Sequence, residues 1–196
     1  MAIGRPRAFD IDEALDRALK VFWRKGYEGT SLSDLTEALG INRPSLYAAF
    51  GNKEQLFRKV MERYQSGPAS YLQQSLAAPT ARAMAEQLLH ATADALGCPD
   101  RPAGCLVVQA ALSCGDAGDA MRKELIARRL ASEAAIRDRL VHAREQSDLP
   151  ADADPEELAR YLVTVMYGMA VHAAGGANRD QLHQIADRAL HAWPAG

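Results

Sequence analysis

Between Ile41 and Glu54 the sequence I-N-R-P-S-L-Y-A-A-F-G-N-K-E gathers hydrogen-bonding side chains into a stretch too short to build a core of its own. At about 100° per residue, Leu46 and Phe50 share one helical face and Pro44 and Ala48 point away from it. Ser45 and Tyr47 flank them, and Arg43 stands in the exposed first turn. Arg43 can offer a two-pronged donor to a guanine edge, and Ala48 or Ala49 can abut a thymine methyl. The Tyr47 hydroxyl can reach a phosphate. Lys53, in the first turn of the next helix, can neutralise a phosphate beside that helix's free N–H groups. Pro44 removes no intrahelical hydrogen bond, because first-turn N–H groups have no helical acceptor, and it stiffens the end that would enter a groove first. The competing reading of Arg43, Tyr47 and Lys53 is a solvated surface.

The flanking segments have the pattern needed to hold this stretch. Asp10 and Glu13 form a capping box ahead of Ile11, Ala14, Leu15, Ala18, Leu19 and Phe22, which recur at helical spacing until Gly26. Ser31 caps a second helix with Leu32, Leu35 and Leu39 inward, and Gly40 supplies a sharp turn. The third helix runs from Asn42 to about Phe50. Gly51 stops it, and Asn52, with Gln55 three places on, opens a fourth through Leu56, Phe57, Val60, Met61 and Tyr64. Two short helices joined at a glycine, with Leu35, Leu39, Ile41, Leu46 and Phe50 apolar, form a helix-turn-helix pattern.

Beyond Gly67-Pro68 the composition shifts to Ala-rich helices at about 79–97, 103–114, 118–147, 155–174 and 179–193. With no alternating run long enough for a strand, the expectation is an all-α protein of about nine helices. Residues 1–64 are read as a helix-turn-helix domain with a basic N-terminal arm, and residues 65–196 as a larger helical domain. Lys and Arg outnumber Asp and Glu by 11 to 9 in the first segment, against 12 to 16 in the second, within a net charge of -2.

Three stretches carry a family resemblance: G-R-P-R-A-F-D, then A-L-K-V-F-W-R-K-G-Y-E-G-T-S-L-S-D-L, then L-G-I-N-R-P-S-L-Y-A-A-F-G-N-K-E-Q-L-F. In order and spacing, residues 9 to 57 resemble the TetR family of bacterial transcriptional regulators. The resemblance implies that Arg43, Pro44, Ser45, Tyr47 and Ala48 face the DNA major groove, with Thr30, Tyr47 and Lys53 at phosphates. Many relatives carry a bulky polar or aromatic pair after the tyrosine, where this chain has Ala48-Ala49. Arg5 and Arg7 resemble short arms that insert arginine into a narrow minor groove; a tail touching phosphates weakly, or nothing, is the other reading. The resemblance further implies a homodimer joined by its last two helices, a small-molecule effector held among the middle ones, and a double-stranded inverted repeat as the DNA partner. Repression relieved by the effector follows as the expected activity.

The residues of the second segment agree with that division. Leu158, Tyr161, Leu162, Val165, Met169 and His172 make one stripe, and Leu182, Ile185, Ala189, Leu190 and Trp193 another, as a four-helix interface between two subunits requires. Met84, Leu88, Gln109, Met121, Met166 and Tyr167 combine flexible apolar bulk with polar handles suited to a ligand pocket, although ordinary core packing accounts for each of them as well. Cys105 follows a Pro/Gly-rich loop and invites a thiol sensor, against the inert buried cysteine that is the commoner case. His183, Asp187 and His191 recur at four-residue spacing but on the face opposite Leu182, Ile185 and Trp193, so a wet surface row is expected there and no metal site.

Several classes are set aside. Three cysteines without Cys-x-x-Cys spacing argue against a disulfide framework or structural zinc and for a reducing cytoplasm. The N-terminus M-A-I-G-R-P-R has no apolar run behind it to suggest a signal peptide. The apolar window from Tyr161 is shorter than the roughly 20 residues a membrane span needs. No nucleophile elbow, phosphate-binding glycine loop or His-Glu-x-x-His is present. No cofactor is expected, and an all-helical enzyme or small-molecule carrier retaining a helix-turn-helix shape is the alternative.

Overall fold

The computed structural model describes residues 9–113 and 119–194, without the side chains of 111–113 and 119–120. Arg5, Arg7 and Cys114 lie outside the described residues. Ten helices make up the described chain: α1 (Ile11–Gly29), α2 (Leu32–Leu39), α3 (Arg43–Phe50), α4 (Lys53–Ser66), α5 (Tyr71–Leu76), α6 (Ala81–Leu96), α7 (Leu106–Ser113), α8 (Asp119–Glu145), α9 (Pro155–Ala174) and α10 (Arg179–Leu190). None of them is long and apolar enough to cross a membrane.

Local chemistry sets the boundaries of the first four helices. The Ser31 hydroxyl accepts from the Asp34 N–H at 3.0 Å while the Asp34 carboxylate accepts from the Ser31 N–H at 2.9 Å, closing a capping box. Asn52 and Gln55 do the same for α4. Gly40 takes the left-handed conformation, φ 67° and ψ 30°, that lets the chain reverse between α2 and α3 without Cβ strain. At the start of α1 only half of the expected box forms. Asp10 accepts from the N–H groups of Asp12 and Glu13, but the Glu13 carboxylate turns outward to Arg17. Gly26, at φ 71° and ψ 176°, kinks α1 where the sequence ended it, and one further turn continues to Gly29.

Two apolar clusters divide the molecule. One joins α1 to α4 through Phe22, Leu35, Leu46, Leu56 and Phe57, all buried, and also draws in Leu106, Ala110, Met121 and Leu125 from α7 and α8. The other joins α6, α8, α9 and α10 through Met84, Leu88, Ile136, Leu162 and Leu182. The head is thus clamped onto the larger layer by four apolar side chains from α7 and α8. Arg63 of α4 reinforces it internally, donating to both Asp16 oxygens at 2.9 and 2.8 Å and to Asp12 at 2.9 Å.

The sequence reading omitted α5. It is only six residues long, and Ser70 makes no side-chain cap bond at its start. A helix without a cap and shorter than two turns leaves no periodic signal; Tyr71 and Leu72 are held there by packing on the larger core.

Candidate functional site

In α3, Asn42 caps the helix by accepting from the Ser45 N–H at 2.9 Å, and Pro44 occupies the first turn, where its missing N–H has no consequence. Leu46 and Phe50 are buried under the helix at 0% and 3% exposure. Arg43, Pro44, Tyr47 and Ala48 are exposed, with Ser45 half-buried beside them. Tyr47 is 47% exposed, one of the few large apolar rings or chains left in solvent. The Arg43 guanidinium rests on the Ser33 hydroxyl at 3.2 Å, which aims it along the helix start.

Lys53, one turn away, stands over the Tyr27 ring at 4.6 Å from the centroid, and Tyr27 itself packs edge-on against Phe57 at 5.0 Å. An ammonium held over a ring is steadied by the ring's negative face. Tyr27 is therefore a positioning residue that sequence reasoning did not single out; the residues are 26 apart in the chain and no local pattern joins them. Lys25 binds Asp34 at 2.6 Å and ties the end of α1 to α2. That bond and the Ser31 N–H hold the Asp34 carboxyl at about 2.

Thr30 departs from expectation. It is buried at 1% exposure and its hydroxyl donates to the Gly26 carbonyl at 2.6 Å, so it latches the kink of α1 and does not present a donor to a phosphate.

Behind the head lies a cavity of about 670 Å³ between α4, α5, α7, α8 and α9. Met166 and Tyr167 line it, as does Cys105; Leu72, Val107, Ile136 and Val163 supply apolar wall, and Tyr64, Tyr71, Arg128, Arg129 and Ser132 supply polar groups. The remaining ligand candidates are elsewhere. Met84 and Leu88 are fully buried in the larger core, Met121 is buried in the cluster shared with the head, and Gln109 donates to the Ala103 carbonyl at 2.9 Å. An amphipathic pattern marks which face of a helix is inside, but not where two inside faces fail to meet.

The cavity wall touches the head twice. The Trp23 indole N–H of α1 donates to the Gly104 carbonyl at 2.9 Å, next to Cys105, and the Tyr64 hydroxyl donates to Cys105 Sγ at 3.4 Å. On the other side, Glu124 of α8 accepts from Arg58 of α4 at 2.8 Å and from Arg128 at 3.0 Å, and Arg58 also binds Glu54. Burial acts to raise the Glu124 carboxyl, and the two arginines outweigh it, holding the group below the usual carboxylate range.

Of the expected interface residues, Leu162, Met169 and Leu182 are fully buried within the protomer, and Leu190 and Trp193 nearly so, at 5% and 6%. They are core. Leu158, Val165 and Ile185 remain half-buried at the surface, beside exposed Gly168, Val171 and His172. The stripe read from sequence merged two faces, because α9 is apolar on both. The expected wet row His183, Asp187, His191 is only partly so: His183 is half-buried and binds Asp94 at 2.7 Å and His90 at 2.9 Å, Asp187 lies 3.5 Å from His90, and His191 turns back to the Asp187 carbonyl.

Residues 14–60 match the family model of the bacterial regulatory proteins of the tetR family, and residues 82–191 match the tetracyclin repressor-like C-terminal domain. The chain belongs to the TetR family. ComR of Escherichia coli K12, an HTH-type transcriptional repressor, is 37% identical over 97% of this chain and 92% of its own. BdcR of the same organism, also a repressor, is 31% identical over 91% of this chain and 86% of its own. A solved TetR family member, a cysteine mutant of CifR complexed with 26-bp double-strand operator DNA, superimposes with a TM-score of 0.92 at 46% identity, covering 97% of this chain and 100% of that one. The protein is a DNA-binding regulator of transcription and not an enzyme, which removes the enzyme or carrier alternative.

Proposed function

We propose that this TetR family chain is a cytoplasmic homodimeric repressor that holds a palindromic operator through α3 and leaves it when a small molecule fills the cavity behind the head. The observation that carries the reading is α3 itself: a capped eight-residue helix with Leu46 and Phe50 buried and Arg43, Pro44, Tyr47 and Ala48 facing outward. Residues 1–64 form the DNA-binding domain with Arg5 and Arg7 in its arm, and residues 65–196 the dimerisation and effector domain. Leu158, Val165 and Ile185 form the apolar centre of the dimer face, with Val171 and His172 around them. A two-fold pair places its recognition helices about 34–36 Å apart, or a multiple of that spacing, so the operator is an inverted repeat.

Selection from random duplexes by the purified protein tests this directly. An enriched palindrome at moderate salt is expected, and its absence would end the reading. On the selected site, Arg43→Ala is expected to change which base is preferred at one position of each half-site. Lys53→Ala is expected to weaken binding to all sequences and to reduce the salt slope by about one ion. Equal loss on every sequence for Arg43→Ala would remove it from the base readers.

Release follows if the effector prefers a conformation with wrongly spaced heads, a coupling typically of about 1–3 kcal/mol. The Arg58–Glu124–Arg128 chain, the Trp23–Gly104 bond and the Tyr64–Cys105 bond are connections through which the cavity can bias the head. A second, covalent route is favoured by the place of Cys105 on the cavity wall. Alkylation there forms an S–C bond and leaves a bulky group inside the cavity. Iodoacetamide, which loses iodide while the thiol proton passes to solvent, is expected to release DNA from the parent protein and not from Cys105→Ser. Release of both alike would exclude Cys105 as the sensing thiol.

A further inference from the structure

The polar groups of the cavity are unevenly distributed by charge. Its lining holds two arginines and one carboxylate, and that carboxylate, Glu62, belongs to an exposed residue. Arg128 is already neutralised by Glu124 and bonded to Gln65 at 2.8 Å. Arg129 has no such anion. Its guanidinium stands over the Tyr167 ring, 4.8 Å from the centroid, and among the described residues it has no ion-pair partner; its Nε, like that of Arg128, is buried without a hydrogen-bond acceptor. The nearby Glu133 faces Arg160 at 3.7 Å instead.

A half-buried arginine whose Nε is shut off from water and which has no anion beside it is an arrangement that a ligand anion would relieve. The cavity's tyrosines do not oppose this. Burial pushes the Tyr64 and Tyr71 hydroxyls up, so at neutral pH neither is an anion that could compete for Arg129. The lining also holds Leu72, Val107, Ile136, Val163 and Met166, apolar side chains with nothing to offer a polar group. The volume, about 670 Å³, suits a small organic molecule.

We infer that the cavity takes a small organic acid, its apolar body against Val107, Ile136 and Met166 and its carboxylate on Arg129. This rests on reading the cavity as the effector site. An Arg–carboxylate contact in such a site is short, charge-assisted and frequently bidentate, which makes the charge and not the chain the feature that is recognised.

Calorimetric titration of the full-length protein with octanoate and with octanamide, equal in size and different in charge, tests it. Octanoate is expected to bind more tightly by about tenfold or more, as one desolvated charged hydrogen-bond pair implies. Arg129→Met should erase that preference and Arg129→Lys should keep part of it, since the charge stays and the two-pronged geometry is lost; the comparison of the two probes on the parent protein stands even if Arg129→Met folds poorly. Equal binding of acid and amide, a preference that survives Arg129→Met, or binding of neither probe would overturn the inference. DNA release is measured separately. If acid binding depends on Arg129 but no ligand frees the operator, the release reading fails and the acid site stands. If octanamide frees the operator as well as octanoate does, the release reading stands and the acid inference fails.

Discussion

Ala48→Glu is expected to abolish specific DNA binding while leaving the fold intact. Ala48 is exposed on α3, directly opposite the buried Leu46 and Phe50, so a longer side chain there meets no protein atoms. A surface change of this kind ordinarily moves stability by less than about 0.5 kcal/mol. Against the duplex, the new carboxylate would lie between two phosphate backbones where Arg43 and Lys53 now supply positive charge. Like charges brought together in an interface cost several kcal/mol, so a loss of roughly a hundredfold or more is expected. Fluorescence anisotropy on the selected palindrome measures the loss, and a thermal melt checks that the fold is kept. Unchanged affinity would mean that α3 is not the element in the groove. Ala48→Ser is the companion variant: small and uncharged, it should bind close to the parent level, which separates charge from mere substitution.

That variant can be designed because the head is written in local chemistry. Ser31, Gly40, Asn42, Gly51 and Asn52 each act on groups within four residues, and each boundary they imply stands in the structure to within a residue or two. Where local chemistry offered two outcomes, the reading went astray. Glu13 could close a capping box or pair with Arg17, and tertiary packing left it on the outside with Arg17. Thr30 follows a glycine kink that bends α1 inward, and the bend buries a hydroxyl that spacing alone leaves free.

The second segment was legible as helices but not as sites. Helix α9 is apolar on two faces, so Leu162 and Val165 look alike in sequence although one is core and the other surface. The cavity is bounded by five helices, and the pairings that shape it, Tyr64 with Cys105 and Arg129 with Tyr167, join residues 41 and 38 apart in the chain and have no periodic signature. Met166, Tyr167 and Cys105 were nonetheless within reach, because a flexible thioether, a phenol and a thiol are side chains with a polar or polarisable handle in otherwise apolar stretches. Arg129 was not, since a cation in an amphipathic helix is ordinarily a solvated one.

The link between cavity and head makes Trp23 the side chain whose loss should cost most. It is 4% exposed, meets Tyr64 edge-on at 4.9 Å and bonds the Gly104 carbonyl, so one ring joins α1, α4 and the loop ahead of α7. Gly104 sits at φ +80°, and a Cβ there would lie 2.4 Å from Gln109 Nε2 and 3.2 Å from the Ala174 methyl, so the backbone passes close to both. Trp23→Ala empties a buried site, and a destabilisation of about 3–5 kcal/mol is expected, measured by urea unfolding followed by circular dichroism. Trp23→Phe divides the effect. It retains most of the ring contact with Tyr64 but leaves the buried Gly104 carbonyl without its donor, for which about 1–3 kcal/mol is expected. If Trp23→Phe were as stable as the parent, the indole N–H would carry none of the connection, and Trp23 would join the cavity wall to the recognition head by ring packing alone.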